Sequence, residues 1–254
     1  MKDAAMEEAE RWAREREFHN HRFEDDSERE ERVGKFYSAI GYGFELYRDR
    51  VMTEAKGRRL LEYGCGNASL GFDAAPVARE VIGIDISDVA IQQGQRIAAL
   101  KQLDNVKFVV DNAESMRQPD KSVDVLAGSG IVHHLDIPRA MAEVRRVLRD
   151  GGIAIFAEPL GHNPVVNWYR RRTPEIRTAD EHPLLLKDLR EMAEGFRQSK
   201  VTYFGFIAPV LGFLSPTTDP KSPLTKLVWA LDKLICRIPG VKHFAWFSVI
   251  ELRT

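Results

Sequence analysis

The chain has 254 residues, 44% of them apolar and 30% charged, with 12 prolines and two cysteines. This composition fits a globular chain and excludes a collagen, wholesale disorder and a disulfide scaffold. A formal net charge of −1 argues against a dedicated nucleic-acid binder, which carries a basic excess.

Residues 1–32 hold twelve acidic and seven basic side chains, whereas residues 220–254 hold two and six. Glu and Arg at helical spacings predict a polar N-terminal helix, a lid that buries little by itself. Its first residues, MKDAAMEEAERW, lack the apolar core of a secretory signal, so a reducing cytoplasm is the expected location. From Val33 to about Ala55, Phe36, Tyr37, Ile40, Phe44, Tyr47 and Val51 recur every three or four positions, which predicts a helix with an apolar face. Residues 1–56 are read as a helical extension and 57–254 as the core.

After Gly57, short β-branched runs alternate with helical stretches, the signature of βα units around a parallel sheet. Strands are predicted at 59–63, 80–85, 106–110, 122–127 and 152–158, with helices beginning near Ala68, Ser87 and Asp136. Beyond Glu158 a polar loop with helical ends runs to Phe196, and substrate contacts are expected there. Strands at 198–206 and 244–252 complete the set, the last antiparallel. The expected fold class is α/β: a doubly wound, mostly parallel seven-stranded sheet with a late insertion at about 207–243.

Within that insertion, residues 201–218 carry no charge, but their glycines and prolines make a poor membrane span. Leu224, Leu227, Val228, Leu231, Leu234, Ile235 and Ile238 then mark one face of a helix, with Lys226, Lys233 and Arg237 on the other. That apolar face is expected to close the core or a homodimer. Alternatively it caps an apolar pocket or rests on an anionic bilayer to collect a lipid-like acceptor, a peripheral membrane contact through 207–238.

The stretch LLEYGCGNASL places Glu62, Gly64 and Gly66 after a strand and before a helix. In an open parallel sheet this is where ligands bind, because glycine lets the backbone approach a ligand and the helix amides face it. Asp85 ends the second strand about twenty residues on, placed to accept hydrogen bonds from ribose hydroxyls. Both a nicotinamide dinucleotide and S-adenosylmethionine fit this much. The dinucleotide fingerprint wants Gly or Ala at the sixth position, where this chain has Ser69. Glu62 also suits the ammonium of a methionine better than a pyrophosphate.

With LLEYGCGNAS, VIGIDIS, VVDNAESM, SVDVLAGSGIVHHL and LRDGGIAIFAEP in that order over residues 58–159, the chain resembles the class I S-adenosylmethionine-dependent methyltransferases, of the ubiquinone and menaquinone methyltransferase group. The resemblance implies that Glu62, Gly64, Cys65 and Gly66 hold the methionine part, Asp85 and Ile86 the ribose, and Asn112 with Ala113 the adenine. It also brings Ser129, after the fourth strand, close to the cofactor. The family's Gly-Asp-Ala-Glu reads Asp111-Asn112-Ala113-Glu114 here, so Asn112 takes the adenine contact, or Asp111 if the alignment slips by one. Ala68 replaces a common glycine.

Methyl transfer is an in-line displacement that needs alignment and a dry site more than acid–base groups, although a hydroxyl or acidic-carbon acceptor gains from a base. His133 and His134 are candidate bases. His162, with Glu158 as orienter, is expected to face the acceptor, and Tyr37 to close over the methionine end. Arg170, Arg171 and Arg172, after Trp168 and Tyr169, could hold an anionic acceptor. The remaining histidines, His19, His21, His182 and His243, give no recognised ligand spacing, so no metal site is expected. The sequence reading is therefore O-methylation, or else C-methylation, of a small hydrophobic or amphiphilic acceptor. Its alternatives are a nicotinamide-dependent oxidoreductase and a cofactor-binding scaffold without chemistry.

Overall fold

The computed structural model describes residues 2–24, 27–173, 178 and 181–254. Residues 174–177, 179 and 180, part of the loop expected to touch substrate, lie outside the described residues. The strands are β1 (Arg59–Tyr63), β2 (Glu80–Asp85), β3 (Val106–Val110), β4 (Val123–Ser129), β5 (Leu148–Pro159), β6 (Gln198–Phe204) and β7 (Phe247–Arg253). They form one seven-stranded sheet in the order β3-β2-β1-β4-β5-β7-β6. The first five pair in parallel, and β7 runs antiparallel to both β5 and β6. The order reverses between β1 and β4, the switch point at which open α/β sheets bind ligands.

Helices α1 (Lys2–Glu24), α2 (Ser27–Ala39) and α3 (Gly41–Ala55) precede the sheet. The single helix expected from Val33 to Ala55 is thus broken at Ile40, which is fully buried with φ −102° and ψ 15°. α4 (Ser69–Ala74), α5 (Asp88–Leu100) and α6 (Ile137–Val147) follow β1, β2 and β4. Ser87 and Asp136 cap the last two, accepting from the amides of Ala90 at 3.1 Å and Arg139 at 3.1 Å. Such caps satisfy amides that a helix leaves open at its start. α7 (Pro164–Arg170), α8 (Leu186–Ala193), α9 (Leu211–Leu214) and α10 (Pro223–Ile235) complete the chain.

Strand alternation sends neighbouring side chains to opposite faces. Leu60, Val125, Ile153 and Ile155 join one core with Val51 of α3 and Ile91 of α5. Leu61, Leu126, Ala154 and Phe156 join the other with Met141 of α6 and Met192 of α8.

The insertion departs from one of the sequence expectations, that its leucine face closes the core. On α10 the buried residues are Thr225, Trp229 and Asp232, while Leu224, Leu227, Leu231 and Leu234 are exposed, so the leucine stripe does not close the core. The reason is polar. Asp232, wholly buried, accepts from the amides of Gly205 at 2.8 Å and Ala208 at 2.9 Å and from the Tyr42 hydroxyl, and Trp229 Nε1 donates to the Ala39 carbonyl at 2.8 Å. Those otherwise unsatisfied main-chain groups select the inward face.

α3 lies so close to β6 that a Cβ on Gly43 would sit 2.0 Å from the Phe204 ring, and Phe204 is itself 1% exposed. Gly43→Ala is expected to cost about 1–3 kcal/mol by overpacking. Denaturant unfolding of the variant against the parent measures this.

Candidate active site

A cavity of about 1190 Å³ opens at the carboxyl ends of β1 to β5, larger than the roughly 300–1,000 Å³ of an ordinary small-molecule pocket. Its floor carries Glu62, Gly64, Cys65, Gly66, Asp85, Ile86, Asp111, Asn112, Ala113 and Ser129. The structure therefore brings every floor residue expected from the sequence into one space. Tyr37 lines it too, within an aromatic wall that includes Phe36, Phe44, Trp246 and Phe247.

Backbone conformation makes the turn after β1. Gly64 has φ +67°, and a Cβ there would lie 2.3 Å from Ile131 Cδ1, so both torsion and space demand glycine. Gly66 and Ala68 are also left-handed, at φ +47° and +59°. The alanine keeps the turn at a local steric cost of roughly 1–2 kcal/mol.

Asp85 Oδ2 accepts from the Gly66 amide and Oδ1 from the Ser87 amide, each at 2.9 Å. One carboxylate thus pins the glycine turn to the start of α5, with lone pairs left for a ligand. Asp111 is held by the amides of Asn112 and Arg117, both at 3.0 Å. Asn112 Oδ1 already accepts from the Glu114 amide at 2.9 Å, and its second lone pair remains for an amine. Glu62 is 5% exposed, and Oε2 accepts from the Gly71 amide at 3.0 Å. Burial, with Asp85 and Asp73 adding repulsion, pushes its carboxyl up to about 8. A buried carboxyl in that state is best relieved by a nearby cation.

His133 and His134 follow β4 on a short 3₁₀ turn, and both line the cavity. Glu158 is fully buried, with Oε1 accepting from the amides of Ile131 at 3.0 Å and Val132 at 2.9 Å. Its Oε2 lies 2.7 Å from His133 Nδ1. Burial pushes Glu158 up to about 7 and holds His133 well below the usual imidazole range. Glu158 therefore orients His133 and not His162.

His162, expected from the sequence to face the acceptor, is absent from the cavity wall, and its Nε2 accepts from the Leu186 amide at 2.9 Å. The first open amide of α8 needs an acceptor, and His162 supplies it. Arg170 and Arg172 line the cavity while Arg171 does not. Arg172 stacks over Trp168 at 4.1 Å.

The N-terminal lid expected from the sequence is the roof of the cavity, but the polar contacts that seat it were not legible there. α1 contributes Arg11, Trp12, Glu15, His19, Arg22 and Phe23 to the cavity. Arg11 and Trp12 donate to Glu114 Oε2 at 2.5 and 3.2 Å. Asn20 Nδ2 donates to Asp88 at 2.8 Å and its Oδ1 accepts from the Ser87 hydroxyl at 2.6 Å. Glu15 and His19, at i and i+4, meet His134 from the core. That i,i+4 spacing was the available signal, but its third member lies over a hundred residues away.

The folded chain retains a proton on Glu62 up to about pH 8 that the unfolded chain releases near pH 4.5, so stability falls as pH rises through that window. Glu62→Gln is expected to flatten the slope by on the order of 1 kcal/mol per pH unit, measured by denaturant unfolding from pH 5 to 8.

A family model described as a methyltransferase domain matches residues 54–200. An uncharacterized methyltransferase of Bacillus subtilis (strain 168), YcgJ, is 27% identical over 175 residues, 63% of this chain and 68% of that protein. Demethylmenaquinone methyltransferase of Geobacillus kaustophilus (strain HTA426) is 29% identical over 169 residues, 65% of this chain and 60% of the relative, so the match spans less than two thirds of that enzyme. The solved structure of geranyl diphosphate methyltransferase in complex with S-adenosylmethionine superposes with a TM-score of 0.60 at 15% identity, covering 82% of this chain and 84% of that one, a likeness of fold. These matches set the nicotinamide alternative aside. The cradle fits the sulfonium cofactor through its glycine turn, the paired acceptors of Asp85 and a buried carboxyl in want of a cation, and the chain belongs to the methyltransferase domain family as an S-adenosylmethionine-dependent enzyme.

Proposed function

We propose that the protein methylates an oxygen of a small, largely hydrophobic acceptor carrying an anionic or acidic end. The observation that carries this is the continuity of the cavity, in which the polar floor at the strand ends runs into a wall of Phe36, Tyr37, Phe44, Trp168, Tyr169 and Phe213, with Arg170 and Arg172 beside it. The names of two similar proteins, acting on demethylmenaquinone and geranyl diphosphate, support an apolar acceptor of this kind. Carbon methylation is the second reading, because the same alignment and base would serve an acidic carbon.

In this reading Glu62, Gly64, Cys65 and Gly66 hold the methionine part of the cofactor, Asp85 and Ile86 the ribose, and Asp111, Asn112 and Ala113 the adenine, with Ser129 alongside. When bound, S-adenosylmethionine supplies an electrophilic methyl group on sulfur. His133 takes the acceptor's proton at Nε2 while Nδ1 faces Glu158, which fixes the ring. Tyr47, whose buried hydroxyl has no hydrogen-bond partner among the described residues, lines the same space and offers a donor to the acceptor or the cofactor. α1 and the aromatic wall keep out water, which preserves alignment.

The exposed leucine stripe of α10, with exposed Phe213 and Leu214 and with Lys226, Lys233 and Arg237 near it, supports collection of the acceptor from an anionic bilayer surface. Among the described residues no helix is long and apolar enough to cross a membrane.

Three measurements test the reading. Calorimetry should show binding of S-adenosylhomocysteine and none of oxidised or reduced nicotinamide dinucleotides. A panel of phenols, quinols, carboxylic acids and lipids with labelled cofactor should yield a labelled product; cofactor binding with no product from any of them would favour the scaffold alternative. With a working acceptor, His133→Ala should lower kcat by about 100-fold or more at unchanged cofactor affinity, and an unchanged kcat removes His133 as the base. For the surface, Leu227→Glu with Leu231→Glu should abolish flotation with anionic vesicles; flotation retained, or a dimer lost instead, would reassign that face.

A further inference from the structure

We infer that Glu15, His19 and His134 form a binding site for a divalent transition-metal ion, with Zn²⁺ the natural occupant, at the boundary between the lid helix and the core.

One ligand atom from each residue lies within 4.8 Å of the other two. Glu15 Oε2 is 3.4 Å from His19 Nε2 and 3.3 Å from His134 Nδ1. A tetrahedral ion with bonds of about 2.0–2.1 Å to nitrogen and oxygen requires ligand–ligand edges of about 3.3–3.4 Å, so two of the three edges already have coordination length. Glu15 is 6% exposed, and among the described residues its carboxylate has the two imidazoles at ion-pair distance and no partner in hydrogen-bonding geometry. A buried carboxylate facing two imidazoles is compensated either by protonation of the rings or by a cation that all three groups share.

The donor set is informative. Two imidazoles and one carboxylate leave a coordination position open, the pattern of catalytic rather than structural zinc. Glu15 and His19 occupy one face of α1 at i and i+4, as paired ligands on a helix do. Their rings and turns are held: His19 packs against Phe18 and Phe23, and His134 against His133 with ring centroids 4.2 Å apart. All three ligands line the same cavity as His133.

Two consequences follow. The ion joins α1 to the turn after β4, so metal binding and lid closure are coupled. Resting on the proposed function, an ion held there, in the cavity that His133 also lines, would supply a Lewis acid able to lower the pKa of an acceptor hydroxyl.

The experiment uses the full chain after chelator dialysis, titrated with Zn²⁺ by calorimetry and with Co²⁺ by visible absorption, with S-adenosylhomocysteine binding measured in parallel. Stoichiometric binding of both ions is expected, with the visible bands of low-coordinate cobalt and a raised unfolding temperature. Glu15→Gln and His19→Ala should each weaken Zn²⁺ by more than roughly 100-fold, beyond the loss from a supporting residue. His21→Ala, exposed on the same helix, should change nothing. Unfolding temperatures without metal check that the variants fold. Absence of metal binding by the parent chain, or equal binding by the two ligand variants, overturns the site. If S-adenosylhomocysteine binds and metal does not, this inference fails alone. If metal binds and S-adenosylhomocysteine does not, the methyl-transfer reading fails while the metal site stands.

Discussion

The wholly buried carboxylate of Glu114 holds the roof of the cavity to its floor. It accepts from Arg11 and Trp12 of α1 through one oxygen and from the Asp136 amide, at 2.8 Å, through the other. Charge-assisted bonds of this kind are stronger than neutral ones, and their strength grows as water is excluded. A helix as polar as α1 cannot dock by apolar burial, so directed hydrogen bonds take over that role. Asn20 repeats the device at Ser87 and Asp88, which ties the lid to the same loop that Asp85 organises.

Around the enclosed space stand several carboxyls that burial alone would penalise, and each is handled differently. Glu158 is satisfied by two amides and an imidazole. Asp85 and Asp111 are satisfied by main-chain amides that shape the turns carrying them. Glu62 has an amide at one oxygen and a pKa pushed up to about 8, and Glu15 has only approaching imidazoles. The contrast separates carboxylates held by main-chain amides that shape the turns from those whose charge is met by few or no such donors.

The insertion shows how the same arithmetic of polar groups overrides a hydrophobic pattern. The apolar residues at helical spacing left an inward leucine face on α10 as one expectation, yet Asp232 is the residue drawn inward, by the amides of the 205–208 turn. Periodicity reports that a helix has two faces; it does not say which one the neighbours can satisfy. His162 is the same lesson in miniature, taken up by an open amide of α8 rather than by the cavity.

From the order of residues alone came the seven strands to within a few residues, the antiparallel last strand, the glycine turn and the acidic residue after β2, because these rest on alternation, spacing and backbone sterics that act locally. The floor of the cavity was legible for the same reason: each of its parts sits at the end of its own strand. Only the folded chain decided that Glu158 serves His133, that α10 turns its leucines outward, and that Glu15 and His19 reach His134. Those outcomes depend on desolvated polar groups finding partners more than twenty, and in two cases more than a hundred, residues away, and no local pattern encodes such a search.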